Sequence, residues 1–268
     1  MMSASTFNPC AVVPVYNHHQ CLVQTIASIR HHNLSVIMVD DGSNNTCKNI
    51  MKHLAANDDK VLLVTRTVNG GKGAAVKTGL QAAAKLGFSH ALQIDADGQH
   101  NSEDIPHFLN AAEANPHTLI AGRPEYDASV PKGRLYGRYL THLWVWINTL
   151  SPDIKDSMCG FRVYPLARSC ALISSETMGN RMDFDPEFMV RWHWRHWPLQ
   201  QLATRVIYPE QGVSHFLVWR DNKLISWMHT RLFIGMLWRS PKILLIKYVD
   251  AHDEQRIQPK PKPLGTSV

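Results

Sequence analysis

Short runs of consecutive apolar residues alternate, over the first hundred positions, with stretches whose apolar residues recur every three or four places. That is the pattern of buried strands separated by amphipathic helices. Residues 10–16 (CAVVPVY), 36–43 (VIMVDDGS), 60–66 (KVLLVTR) and 90–98 (HALQIDADG) predict strands. Between them, 22–32, a segment through Ile50, Met51 and Leu54, and the Ala-rich 69–87 closed by Gly87 predict helices. The β-α-β-α order implies an α/β, Rossmann-like, mostly parallel central sheet with helices on both faces. Further along, 102–114 predicts a helix capped by Ser102, with Glu103 and Asp104 in its first turn. Residues 118–124 and 200–208 predict strands, 135–150 a helix, and 157–166 a strand or loop. The last segment, 249–268, carries three prolines near its end and predicts a disordered tail. No internal repeat is present.

In parallel sheets of this kind, ligands sit beyond the carboxyl ends of the strands. Four polar motifs fall at or just after predicted strand ends: PVYN (14–17), DDGS (40–43), NGGKG (69–73) and DADGQ (95–99). They aim at one rim. A chain of 268 residues suits one large α/β domain, 1–215, followed by a smaller appendage. With 44% hydrophobic and 19% charged residues it is not a disordered chain. Cys10, Cys21, Cys47, Cys159 and Cys170 are widely spaced with no CxxC pair, which points to reduced thiols rather than a disulfide framework. The start lacks the basic region of a signal peptide, and no apolar run approaches the ~20 residues needed to span a bilayer. The expectation is a cytoplasmic chain that does not span a membrane.

The formal charge of +6 is unevenly placed. Residues 216–248 hold Arg220, Lys223, Arg231, Arg239, Lys242 and Lys247 against one acid, Asp221, with Trp219, Trp227, Phe233 and Trp238 among them. Leu224, Ile225, Met228, Leu232, Gly235 and Met236 share one helical face. The segment predicts a peripheral helix against the inner leaflet of a membrane, or an ordinary C-terminal helix packed on the domain. Nucleic acid is not expected, because no RNA- or DNA-binding motif accompanies the charge.

Asp95 and Asp97 lie two apart at a strand end. With substrate phosphate oxygens they form a hard-oxygen site for Mg²⁺ or Mn²⁺, to which Gln99 adds a carbonyl; a plain Asp97-Gly98 turn is the alternative. In Asp40-Asp41, one carboxylate would accept from a nucleobase N–H while the other orders the turn; an Asx-type cap for the next helix is the alternative, compatible with ligand binding. Asn69-Gly70-Gly71-Lys72-Gly73 opens a helix whose bare N–H groups favour an anion such as a diphosphate. Asp183, Asp185 and Glu187 supply three carboxylates around the start of a helix predicted to begin at Pro186-Glu187. Asp185 is the first choice for a general base and Asp183 the second, and Asp185 equally suits a helix cap. Asp156 reads as tying down the loop before Cys159, and Cys159 as a buried thiol rather than a nucleophile.

PVYN, DDGS, GGKGAA (70–75) and DADGQH (95–100), in that order and spacing, resemble family 2 glycosyltransferases. With CGFR (159–162), they look most like the branch of polyprenyl-phosphate sugar synthases, typified by dolichyl-phosphate mannose synthase. The resemblance covers about residues 9–215. It implies a GT-A fold and an inverting, metal-dependent transfer from a UDP- or GDP-linked sugar to a polyprenyl-phosphate or other lipid-linked acceptor at the cytoplasmic face of a membrane. Carried over, Pro14, Tyr16, Asn17 and Asp41 line the nucleoside pocket. Asp95, Asp97 and Gln99 hold the metal. Gly71, Lys72 and Gly73, with Asp95 and Ala96, border the donor, and Arg162 faces its phosphates or sugar. His215 stands where the branch has a lysine near the diphosphate. Two alternatives on the same fold are a non-catalytic nucleotide-sugar-binding module and a sugar nucleotidyltransferase.

Overall fold

The computed structural model describes residues 6–125, 132–206 and 217–257. Strands β1 (Pro9–Val15), β2 (Ser35–Asp40), β3 (Val61–Thr65), β4 (His90–Gln93), β5 (Leu119–Glu125), β6 (Arg162–Pro165) and β7 (Leu199–Arg205) form one sheet. Helices α1 (His19–His31), α2 (Asn45–Asn57) and α3 (Lys72–Lys85) fill the crossovers of the first half. Helices α4 (Ile105–Ala114), α5 (Lys132–Thr149), α6 (Leu166–Ser175), α7 (Phe184–His193) and α8 (Val218–Ile257) follow. The sheet order is β3-β2-β1-β4-β6-β5-β7. Only β6 runs antiparallel to its neighbours β4 and β5, so the mostly parallel α/β expectation holds.

Two apolar layers cover the sheet, and side-chain alternation along β1 assigns them. Ala11, Val13 and Val15 join Leu22, Ile26, Met51 and Phe108 from α1, α2 and α4. Cys10 and Val12 face the other way, toward Val76, Leu80, Phe188 and Trp192 of α3 and α7. A strand buried on both faces needs the continuous apolar run that CAVV provides.

Several elements differ from the sequence expectation. β4 ends at Gln93, so Asp95 and Asp97 lie in the following turn rather than on the strand. The stretch 102–114 is a single 3-10 turn followed by α4, and the Asn101 side chain, not Ser102, accepts the capping N–H of Glu103 at 3.3 Å. α7 begins at Phe184, two residues before the position expected from Pro186, which places Asp185 inside the first turn rather than at the cap. α8 runs to Ile257, beyond the point at which a disordered tail was expected, because residues 249–257 contain no glycine or proline. The prolines begin at 259, and 258–268 lie outside the described residues. Among the described residues, no helix is long and apolar enough to cross a membrane.

The apolar face of α8 packs on the domain, the second of the two expectations for this segment. Met228, Leu232 and Met236 are buried there, with Ile225 partly buried beside them. Their helical spacing is satisfied by the protein's own core, which removes this face from water. Apolar residues remain on the opposite side: Trp219, at 92% exposure, Trp238, at 86%, and Trp227, Ile234, Leu237, Leu244 and Leu245.

Candidate active site

The carboxyl end of β4, the start of α3 and the first turn of α7 meet at the rim of the sheet. Lys72, the first residue of α3, sends its ammonium between two carboxylates: Nζ lies 2.8 Å from Asp95 Oδ2 and 3.0 Å from Asp185 Oδ2. Behind Asp95, Gln93 Nε2 donates to Oδ1 at 3.4 Å, and Tyr164 Oη donates to Gln93 Oε1 at 2.9 Å. His100 Nε2 lies 3.6 Å from Asp95 Oδ2. Burial works against the charge on Asp95, but Lys72 and His100 outweigh it and hold the carboxyl well below the usual carboxylate range. Burial likewise opposes the Lys72 ammonium, and Asp185 and Asp95 outweigh it, so its pKa is raised.

Asp41 is differently placed from the expectation of a base-binding carboxylate. Arg66 Nε (2.8 Å) and the backbone N–H groups of Gly70 (3.0 Å) and Gly71 (2.7 Å) all donate to it. Ala74 N–H donates to Asn180 O at 2.9 Å, and a Cβ at Gly73 would run into Phe184. The N–H groups of Gly70, Gly71 and Ala74 are therefore engaged within the chain. A helix N-terminus favours an anion, and the end of β2 supplies one in Asp41. Gly71 has φ +98°, which only glycine adopts readily.

Pro14 pairs with Val39 in the ladder between β1 and β2, which ends at Val15 and Asp40, and Tyr16 and Asn17 follow, half-buried. Asn17 takes φ +58°; its N–H donates to Ser43 Oγ at 3.2 Å and its Oδ1 accepts from Asn44 N–H at 2.8 Å. The ends of β1 and β2 are thereby tied into one wall.

Arg162 is fully buried. It donates to Ser157 O at 2.6 Å and Asp185 O at 3.1 Å, and its guanidinium lies 3.5 Å from Asp185 Oδ1. It faces the underside of α7 rather than phosphates or sugar, because β6 lies inside the sheet between β4 and β5. Arg162 thus ties the start of α7 to the segment before β6. Asp183 has a local partner: its Oδ1 accepts from Arg181 N–H at 3.0 Å, and burial pushes its carboxyl up. Of the two candidate bases, Asp185 is the one that reaches Lys72. His215 lies outside the described residues.

Asp156 does tie down its loop, accepting from Arg138 (2.6 and 2.8 Å), Met158 N–H (2.9 Å) and Cys159 N–H (2.8 Å). Burial pushes the Cys159 thiol up to about 12, which suits a packed side chain and not a nucleophile. Sequence reasoning passed over Gln93, His100, Tyr164, Arg66 and Gly160. A glutamine inside the apolar run HALQI and the histidine closing DADGQH were the available signals for two of them.

The donor set fits a divalent ion of the Mg²⁺ or Mn²⁺ kind. Asp95 and Asp97 flank the buried Ala96, and Gly160 leaves room against the Asp95 carboxylate that a Cβ would fill. Asp97 Oδ1 accepts from Gln99 N–H at 3.1 Å, which orders the turn. Among the described residues no group of three His, Cys, Asp or Glu side chains holds a metal by itself. Such a site calls for substrate oxygens to complete the shell.

The Glycosyl transferase family 2 model matches residues 10–176. A UDP-N-acetylglucosamine–dolichyl-phosphate N-acetylglucosaminyltransferase of Methanococcus voltae is 35% identical over 220 residues, 76% of this chain and 87% of that one. A polyprenol monophosphomannose synthase of Mycolicibacterium smegmatis is 29% identical over 167 residues, and the match spans 57% of this chain and 60% of that protein's length. In fold, the chain is similar to the glucosyl-3-phosphoglycerate synthase of Mycobacterium tuberculosis. The TM-score is 0.60 at 14% identity, over 87% of this chain and 80% of that one.

Proposed function

The chain belongs to glycosyl transferase family 2, and from that premise we propose that it moves a sugar from a nucleoside-diphosphate donor to a polyprenyl-phosphate or similar lipid-linked acceptor. The observation that carries this reading is Lys72 joining Asp95 to Asp185 at 2.8 and 3.0 Å, at the rim where such sheets bind ligands. That constellation favours transfer over a non-catalytic binding module. The names of the Methanococcus and Mycolicibacterium relatives support the acceptor class.

In the transfer, an acceptor phosphate oxygen attacks the anomeric carbon, the bond from that carbon to the donor diphosphate breaks, and the nucleoside diphosphate leaves with the electron pair. Attack opposite the leaving group inverts the configuration. A phosphate acceptor is already ionised near neutral pH and needs no proton removed, so Asp185 serves to orient Lys72 rather than to act as a base. A hydroxyl acceptor would instead draw on Asp185 as base. Pro14, Tyr16 and Asn17 form the nucleoside wall. Asp41 holds the glycine turn through Gly70 and Gly71, and so sets where Lys72 starts. A divalent ion on Asp95 and Asp97, with Gln99 beside them, would offset the charge developing on the diphosphate.

The exposed apolar side of α8, with Arg220, Lys223 and Lys242 nearby, fits the interfacial zone of an anionic membrane. Tyr139, Leu140 and Leu143 of α5 are also exposed. Peripheral attachment at the cytoplasmic face would bring a lipid-linked acceptor to the rim. Thermal stabilisation by UDP and GDP, each with and without Mn²⁺, tests the donor reading. A metal-dependent rise in Tm that Asp97→Ala abolishes supports it, and no rise under any condition removes it.

A further inference from the structure

We propose that Lys72 is an internal counter-ion that keeps a divalent ion off Asp95 until a nucleoside diphosphate draws its ammonium away. The inference rests on the donor reading above and adds an order of assembly to it.

Two carboxylates from distant parts of the chain meet one ammonium: Asp95 from the turn after β4 and Asp185 from the first turn of α7. The Lys72 side chain is 16% exposed and that of Asp185 is 6% exposed, so their charges interact with little solvent screening. The other groups around the pair are farther or fixed. His100 lies 3.6 Å from Asp95, and the fully buried Arg162 lies 3.5 Å from Asp185 while bonded to two backbone carbonyls. Asp95 is held from behind by Gln93 and Tyr164. Lys72 is therefore the mobile member, because its charge sits on a flexible four-carbon stem whose Nζ can move without shifting α3.

An ion approaching Asp95 must displace this ammonium, and doing so alone leaves the buried cation with one carboxylate, Asp185, where it had two, which is costly. A diphosphate at the start of α3 offers Nζ new anionic oxygens and the metal two further ligands at once. Nucleotide and metal should then bind together, each strengthening the other by the same factor.

The test is direct Mn²⁺ binding, read from the free-ion electron paramagnetic resonance signal, for wild type, Lys72→Met, Lys72→Gln and Lys72→Arg, without nucleotide and with UDP or GDP. Circular dichroism establishes that each variant is folded, and either neutral variant suffices. Without nucleotide, the neutral variants should bind Mn²⁺ about 10-fold more tightly than wild type, within the usual range of coupling between sites. The gain that nucleotide brings should shrink accordingly, and Lys72→Arg should exclude Mn²⁺ as wild type does. Neutral variants that bind Mn²⁺ no more tightly than wild type overturn the inference, while nucleotide-assisted Mn²⁺ binding by wild type leaves the donor reading standing. Wild type that binds Mn²⁺ with neither nucleotide overturns both.

Discussion

Gly160 lies against Asp95 so closely that a Cβ at position 160 would stand 2.8 Å from Asp95 Cγ and collide with its Oδ2. The segment before β6 therefore shapes the carboxylate that joins Lys72, although 65 positions separate the two residues in sequence. Gly160→Ala should turn the Asp95 carboxylate away and cost about 1–3 kcal/mol of stability, as overpacking does. A urea titration reads the stability. The rise in Tm with nucleotide and Mn²⁺ should be lost, and a retained rise would show that the contact is irrelevant to binding.

Arg162 supplies hydrogen bonds to Ser157 O and Asp185 O from a fully buried position. Arg162→Met removes the charge, leaves both carbonyls without that donor and leaves Asp185 short of a cation. Breaking a buried pair of this kind costs roughly 3–5 kcal/mol. Chemical unfolding should show that loss, and kcat should fall more than the donor KM rises, since Arg162 positions Asp185 rather than touching the donor.

The first half of the fold was legible because its information is local. A strand buried on both faces must be continuously apolar, and CAVVPVY and VIMVD are. The second half was less so. β6 has four residues, too few to show a period, and it runs antiparallel in a sheet whose sequence signals are all for parallel crossovers. Residues 249–257 differ from the expectation because their low apolar content suggests disorder where helix propensity carries α8 on. At the site, the residue types were legible and their partners were not. Nothing local indicates that Asp41 holds the glycine turn before α3, that Lys72 reaches both Asp95 and Asp185, or that Arg162 is buried beneath α7. Such pairings join strand and helix ends that only the folded sheet brings together.

Trp219 and Trp238 are almost fully exposed on the outer side of α8. Replacing both with serine should leave Tm within about 1 °C, since surface changes away from packing are nearly neutral. Co-sedimentation with vesicles containing phosphatidylglycerol should fall severalfold and should weaken further with salt for wild type. Unchanged sedimentation would assign this surface to something other than lipid.

His229 is buried on α8, with Asn148 Nδ2 at 3.1 Å from its Nδ1, and burial lowers its pKa from 6.5 to about 4. Between these values the unfolded chain binds the extra proton, so stability rises with pH across the window. The contribution is complete above pH 6.5 and is lost as pH falls toward 4, amounting to about 3 kcal/mol over the full window. His229→Leu should flatten the stability profile between pH 6.5 and 4.5. Carboxylates with lowered pKa, such as Asp156, act mainly below that window. An unchanged slope in the variant would place the pH dependence elsewhere.

The most direct measurement is transfer itself. Purified protein is incubated with radiolabelled UDP- and GDP-sugars, Mn²⁺ and a polyprenyl phosphate in detergent, and label is counted in the organic phase. Wild type should form a glycosylated polyprenyl phosphate from at least one donor, and Asp95→Asn should lose about 3–4 kcal/mol of transition-state stabilisation, or roughly 10²–10³-fold in rate. Failure of wild type to label the lipid from any donor, while still binding nucleotide, would contradict the assignment of a polyprenyl-phosphate acceptor.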